Sequence, residues 1–209
     1  MKQNNRFHGL YAIVDDTVHA EFGIEKLIAE IVHNSAAPIL QLRLKKMSPV
    51  DRVKLIDFTI ALKTHRPFLL MSNDYPELLD RDGVDGLHLG QLDVDFRAQR
   101  KNHPQRILGL STHNVFEANV AASFHADYIG CGAVFATSTK SNAKPMGLVG
   151  LRSIVGKTQL PTVAIGGINK TNIAEVATTG CKMAAVISGL IENNKCIAQE
   201  LHDTFKNKK

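Results

Sequence analysis

The chain has no tryptophan, and its aromatic residues make up only 6% of 209 positions. Its basic residues are dispersed except in the C-terminal KNKK. That is poor material for a nucleic-acid surface, which interleaves cations with stacking rings. Cysteine is also scarce: Cys131, Cys181 and Cys196 are odd in number and lack metal-ligand spacing, which excludes a disulfide framework or a zinc ribbon. No apolar run approaches the roughly 18 residues that a membrane-spanning helix requires. The N-terminal MKQNNRFHGLYAIV lacks a signal-peptide layout, so the expected location is cytoplasmic. A composition 44% hydrophobic and 22% charged excludes a disordered chain.

One more absence concerns topology. Short β-rich runs alternate with helical patterns along the whole chain. The expected strands are 10–14, 39–43, 68–72, 86–89, 107–111, 128–130, 162–165 and 184–188. Helices are expected near 22–33, 49–64, 75–81, 93–101, 114–124, 150–157, 171–178 and 190–206. Ser48 before Pro49 and Asn114 are expected N-caps, with Asn169 or Thr171 ahead of the seventh helix. An open doubly wound sheet would place a glycine-rich loop after the first strand, but Asp15-Asp16-Thr17 stands there. The expected architecture is therefore a single α/β domain over 1–209, a (β/α)8 TIM barrel.

A barrel of this kind gathers its chemistry at the C-terminal ends of its strands. Gln41, Arg43 and Lys45 alternate off the second strand, so they share one face. Asp74 and Asp93 follow the third and fourth strands, where two carboxylates can share a hard cation such as Mg²⁺. The plainer reading is that Asp93 caps the next helix and Asp74 ends a turn. The loop opened by Gly132–Gly150 carries Thr137, Thr139 and Lys140, two hydroxyls and a cation suited to phosphate. AIGGIN at 164–169 and AVISGL at 185–190 end strands in phosphate-friendly glycines, with the last helix N-terminus expected to assist. Two anionic pockets are expected, one for a monophosphate and one for a diphosphate. The formal charge of +5 agrees with small phosphorylated substrates. His113 has no orienting carboxylate in view and reads as structural or substrate-packing; His88 reads as a barrel-lining residue.

In chain order these segments resemble the thiamine-phosphate synthase (thiamine-phosphate pyrophosphorylase) family from about Leu10 to Leu190. The resemblance rests on Q-L-R-x-K at 41–45, N-D at 73–74, G-x-D-G-x-H-L-G-Q-x-D at 83–93 and G-x-S-x-H at 109–113. It continues through F-x-T-x-T-K at 135–140, G-L-x-G-L at 147–151, A-I-G-G-I at 164–168 and V-I-S-G at 186–189. It implies a Mg²⁺-dependent transferase of thiamine biosynthesis that joins a pyrimidine diphosphate to a thiazole phosphate and releases pyrophosphate. Asp74 and Asp93 would hold the metal. Arg43, Lys45, Asn73, Ser111 and Lys140 would hold the diphosphate, with Arg43, Lys45, Ser111 and Lys140 catalytic. Gln41 would lie against the pyrimidine, and Thr137, Thr139, Gly167, Ile187 and Ser188 would hold the thiazole phosphate. Leu44 replaces the usual Glu, Ala136 and Ser138 replace common prolines, and Met71-Ser72 replaces a more apolar approach. Alternation points residue 44 away from the lumen. A related barrel, a thiazole tautomerase, would use His113 instead, and a catalytically silent barrel binding thiamine precursors is the other alternative. The sequence leaves open a homo-oligomer; no nucleic acid or membrane partner is expected.

Overall fold

The computed structural model describes residues 7–137 and 144–208. Eight parallel strands close a barrel in sequence order: β1 (Gly9–Asp15), β2 (Ile39–Arg43), β3 (Leu69–Asn73), β4 (Gly86–Leu89), β5 (Ile107–Thr112), β6 (Tyr128–Cys131), β7 (Thr162–Ile165) and β8 (Met183–Val186), with β8 pairing back to β1. Around them run α1 (Ile24–Asn34), α2 (Pro49–Ala61), α3 (Phe96–Asn102), α4 (Val115–Ser123), α5 (Gly147–Val155), α6 (Ile173–Ala177) and α7 (Ala198–Lys206).

Alternation along each strand separates two apolar layers. On β1, Leu10, Ala12 and Val14 face outward into the shell beneath the helices, whereas Tyr11 and Ile13 face the barrel axis. The interior is filled by Tyr11, Ile39, Met71, Tyr128, Val163 and Met183, as expected of a packed barrel rather than a pore. Glycines make the room for the rings. A Cβ on Gly109 would stand 2.1 Å from Tyr128 Cζ. Gly109→Ala should accordingly cost about 1–3 kcal/mol of stability through overpacking, read from urea unfolding. Leu44 joins the outer shell at 1% exposure, so its departure from the usual Glu lies outside the lumen.

Two caps form as expected. The Ser48 hydroxyl accepts from the Asp51 amide at 3.2 Å, with Pro49 in the first turn, and Asn114 Oδ1 accepts from the Glu117 amide at 2.9 Å. Several expectations are corrected. After β3 the chain makes a five-residue 3₁₀ turn, Pro76–Asp80, in place of an α-helix. Asn169 caps nothing: its Oδ1 accepts from the Thr171 amide and hydroxyl in a turn, and α6 begins later, at Ile173. Asp93 does not cap α3 either; Asp95 does, accepting from the Arg97 amide at 2.9 Å.

The largest correction follows β8. The strand stops at Val186, and Ser188–Leu190 form a 3₁₀ turn. A short hairpin, β9 (Ile191–Glu192) with β10 (Lys195–Cys196), intervenes before α7. The last helix therefore starts about two turns beyond its expected place, and its N-terminus is not where the β8 exit meets the mouth. Asn193 and Asn194 make the hairpin turn at φ 49° and 57°, the left-handed region that asparagine tolerates. Cys131 and Cys181 are buried and Cys196 half-buried, all as free thiols; burial pushes the Cys131 thiol up to about 12. Among the described residues no helix is long and apolar enough to cross a membrane.

Candidate active site

The C-terminal strand ends open on one mouth. One hollow, of about 1020 Å³ counting the open solvent at its entrance, is lined by residues from all eight strands. A second hollow adjoins it on the β3–β4 side, and the two share Arg43, Asn73, His88, Ser111 and His113. Of the expected residues, Gln41, Thr137, Gly167, Ile187 and Ser188 line the first hollow, while Lys45, Asp74 and Asp93 line the second. Thr139 and Lys140, like Ser138, lie outside the described residues.

Register explains the cationic wall. Parallel pairing of β1 with β2 sets Asp15 directly beside Arg43. The Asp15 carboxylate, fully buried, takes a hydrogen bond and ion pair from Arg43 Nη1 and two more bonds from the Thr17 amide (2.7 Å) and hydroxyl (2.6 Å). Burial alone would raise its pKa, but the Thr17 bonds together with the Arg43 bond and charge outweigh it and hold the carboxyl below the usual range. Arg43 is thus pinned by a buried anion and turned into the mouth. The neighbouring Asp16 accepts from the amides of Lys45 (2.9 Å), Lys46 (2.8 Å) and Met47 (2.7 Å), which fixes the loop that carries Lys45.

Lys45 reaches across to pair with Asp74. Asp74 sits at φ 63°, a left-handed conformation that aspartate tolerates better than most residues and that suggests a functional constraint. Its carboxyl also approaches that of Asp93 within hydrogen-bonding reach. Burial raises the Asp74 pKa, Lys45 opposes that rise, and the Asp93 carboxyl adds to it; the net direction is upward. Two acids crowded together at adjacent strand ends repel when both are ionised, unless a cation lies between them. Among the described residues no group of three or more His, Cys, Asp or Glu side chains is arranged so that it could hold a metal ion. A carboxylate pair with oxygen donors alone nevertheless fits Mg²⁺, which keeps most of its shell for water and substrate phosphates.

The opposite wall depends on close backbone approach. Gly166 and Gly167 adopt φ 102° and 64°, and a Cβ on Gly167 would stand 2.4 Å from the Ala136 carbonyl oxygen. The β7 exit thereby packs tightly against the loop bearing Thr137. At the β8 exit, Ile187 is held through its carbonyl by His19 Nε2 at 3.1 Å. The other ring nitrogen, Nδ1, accepts from the Asp15 amide at 3.0 Å, so His19 is neutral with its proton on Nε2. Burial lowers its pKa, in agreement.

Some functional neighbours were missed from sequence. Tyr11 and Tyr128 meet through their hydroxyls at 2.8 Å across 117 residues of chain, a pairing no local pattern announces. Asp15 and His19 were likewise passed over. The orienting carboxylate thought to be missing for His113 is Glu117, whose Oε2 lies 2.8 Å from His113 Nδ1 and also accepts from the His113 amide at 2.8 Å. The signal existed: Asn114 followed three positions later by Glu117 is a capping box, which brings that Glu back over the helix start.

Fold and mouth define a (β/α)8 enzyme built for anionic substrates, with a carboxylate pair and two cations on one side and glycine-bounded backbone on the other. The sequence model of the family described as thiamine monophosphate synthase (TMP-TENI) matches residues 10–190, and the chain belongs to that family. It is similar to the thiamine-phosphate synthase of Methanococcus vannielii, at 31% identity over 94% of each chain. It is also similar to that of Clostridium novyi, at 34% identity over 88% of this chain and 91% of the relative. Thiamine phosphate pyrophosphorylase from Pyrococcus furiosus superposes with a TM-score of 0.87 at 30% identity, covering 99% of both chains. The chain is accordingly a transferase of thiamine biosynthesis with thiamine-phosphate synthase activity.

Proposed function

We propose that the reaction joins 4-amino-2-methyl-5-hydroxymethylpyrimidine diphosphate to 4-methyl-5-hydroxyethylthiazole phosphate. The observation that carries this reading is the pair of adjoining hollows sharing Arg43, Asn73 and Ser111. One hollow has the carboxylates and Lys45; the other has Gln41, Thr137, Gly167 and Ser188. The C–O bond to the pyrimidine methylene breaks first, and its electron pair leaves with the diphosphate. The aminopyrimidine ring spreads the positive charge, and the thiazole nitrogen lone pair then forms the new C–N bond. No proton is lost in that capture, so the step requires no general base.

This chain supplies charge and position. Arg43 and Lys45 neutralise the departing diphosphate, with Asn73 and Ser111 donating to it and Lys140 assigned the same task. Gln41 lies against the pyrimidine. Thr137, Thr139, Gly167, Ile187 and Ser188 hold the thiazole phosphate through hydroxyls and backbone amides. Asp74 and Asp93 would hold Mg²⁺, which supplies additional charge neutralisation at the leaving diphosphate.

A second reading, tautomerase-like proton transfer, draws support from the His113–Glu117 contact, a base with its orienter. Arg43, Lys45, Asp74 and Asp93 together have no task in such a reaction. The deciding experiment incubates purified protein with both substrates, with and without Mg²⁺, and measures thiamine phosphate. Product that depends on Mg²⁺, with turnover retained in His113→Ala, is the expected result. Absence of product from folded protein overturns the reading.

A further inference from the structure

Beneath the mouth a file of hydrogen bonds crosses the barrel interior. Gln41 Nε2 donates to the Tyr11 hydroxyl at 2.8 Å, and the Tyr11 and Tyr128 hydroxyls meet at 2.8 Å. The Tyr128 hydroxyl then meets His88 Nδ1 at 3.0 Å, and His88 Nε2 meets Ser111 Oγ at 3.0 Å. Each central member has one proton to give, so the direction chosen at one end runs to the other.

The Gln41 end sets that direction. With the Gln41 amide placed nitrogen-first toward Tyr11, it donates, so Tyr11 spends its own proton elsewhere, and the Tyr128 oxygen is the partner in reach. Both phenols are buried, and burial raises their pKa values, so both keep their protons. Tyr128 therefore donates to His88 Nδ1, and the imidazole proton sits on Nε2 and points at Ser111. The serine oxygen accepts that bond, leaving its own O–H to point elsewhere. The reverse direction would leave the buried Tyr11 proton without an acceptor, and Ser111 would donate downward to His88.

We infer that Tyr128, with Tyr11, is a positioning residue: through the tautomer of His88 it turns the Ser111 hydroxyl into a donor aimed at the mouth. This rests on the reading of Ser111 as a diphosphate ligand, and it explains that role. A diphosphate oxygen only accepts, so a serine whose proton is taken by His88 would present a lone pair to an anion. The polarity set at Gln41 avoids that repulsion before substrate arrives.

The primary test is ¹⁵N NMR of imidazole-labelled protein, free of substrate, at mildly alkaline pH. The expected result for His88 is the neutral Nε2–H tautomer with an unprotonated Nδ1. An Nδ1–H signal overturns the inference whatever the enzyme catalyses, and so stands apart from failure of the synthase reading. Kinetics supply the second test. Tyr128→Phe should mix the His88 tautomers and lower kcat by about tenfold, with the KM of each substrate moving less than about twofold. Combined with Ser111→Ala it should add little to the loss from Ser111→Ala alone, since both remove the same donated bond. Fully additive losses would show that Tyr128 acts by packing and overturn the inference. If Tyr128→Phe fails to fold, the wild-type tautomer still decides.

Discussion

Arg43→Gln is expected to lower kcat/KM by about 100-fold or more, the scale of losing a charged donor at a developing anion. It should also lower stability by about 2 kcal/mol, because Asp15 keeps its charge in a buried position without its cation. The loss should fall below that of a bare buried pair, since Thr17 continues to donate two hydrogen bonds to the same carboxylate. A pH signature distinguishes this from general damage. The folded pKa of Asp15 lies below its unfolded value, so its stabilising contribution is complete above about pH 4 and disappears as pH falls through the folded pKa. Removing Arg43 brings that pKa up toward the unfolded value, so the variant, already destabilised at pH 7, should lose less further stability than the parent as pH falls. Urea unfolding from pH 3 to 7 checks it; two parallel stability curves would show that Arg43 does not set the Asp15 charge.

The consequences of Arg43 illustrate what the sequence makes legible. Polar residues at 41, 43 and 45 after an apolar Ile39-Leu40 announce an inward row, and the structure places all three at the mouth. The acid that pins Arg43 was harder to see. Asp15 reads locally as a loop residue, and only the β1–β2 register brings it beside Arg43. The same holds for Tyr11 and Tyr128, which are ordinary barrel-filling rings until strand order closes the circle. Strand positions followed from alternation and were recovered to within a residue or two. The β8 exit departs from the expected helix over 190–206 for a physical reason that lies in Leu190 and Ile191. Both pack against the core from a 3₁₀ turn and a hairpin rather than from a helix. His113 differs in kind, because its orienting carboxylate comes from the capping box of Asn114 and Glu117 just beyond it in the chain.

Asp93→Asn should separate metal use from folding. In the parent, Asp93 and Asp74 crowd two acids at the hollow on the β3–β4 side, an arrangement that favours a cation and costs stability without one. Asparagine removes one charge and keeps an oxygen able to accept from the Gly90 amide, the bond Asp93 makes. Without metal, the variant should therefore melt no lower than the parent, and the Lys45–Asp74 pair should tighten once Asp74 has no acidic neighbour. With metal, the order reverses. Half-maximal activation should need at least about tenfold more Mg²⁺, because one of the two proposed protein ligands is now neutral. Thermal melting across a Mg²⁺ titration, beside the thiamine phosphate assay, reads both effects on one preparation. A variant that melts well below the parent without metal would make Asp93 a structural residue of the β4 exit. An unchanged Mg²⁺ requirement would move the cation away from the carboxylate pair. The expected combination, equal or higher stability with weakened metal dependence, arises only if the site holds repulsion in reserve for a cation to relieve.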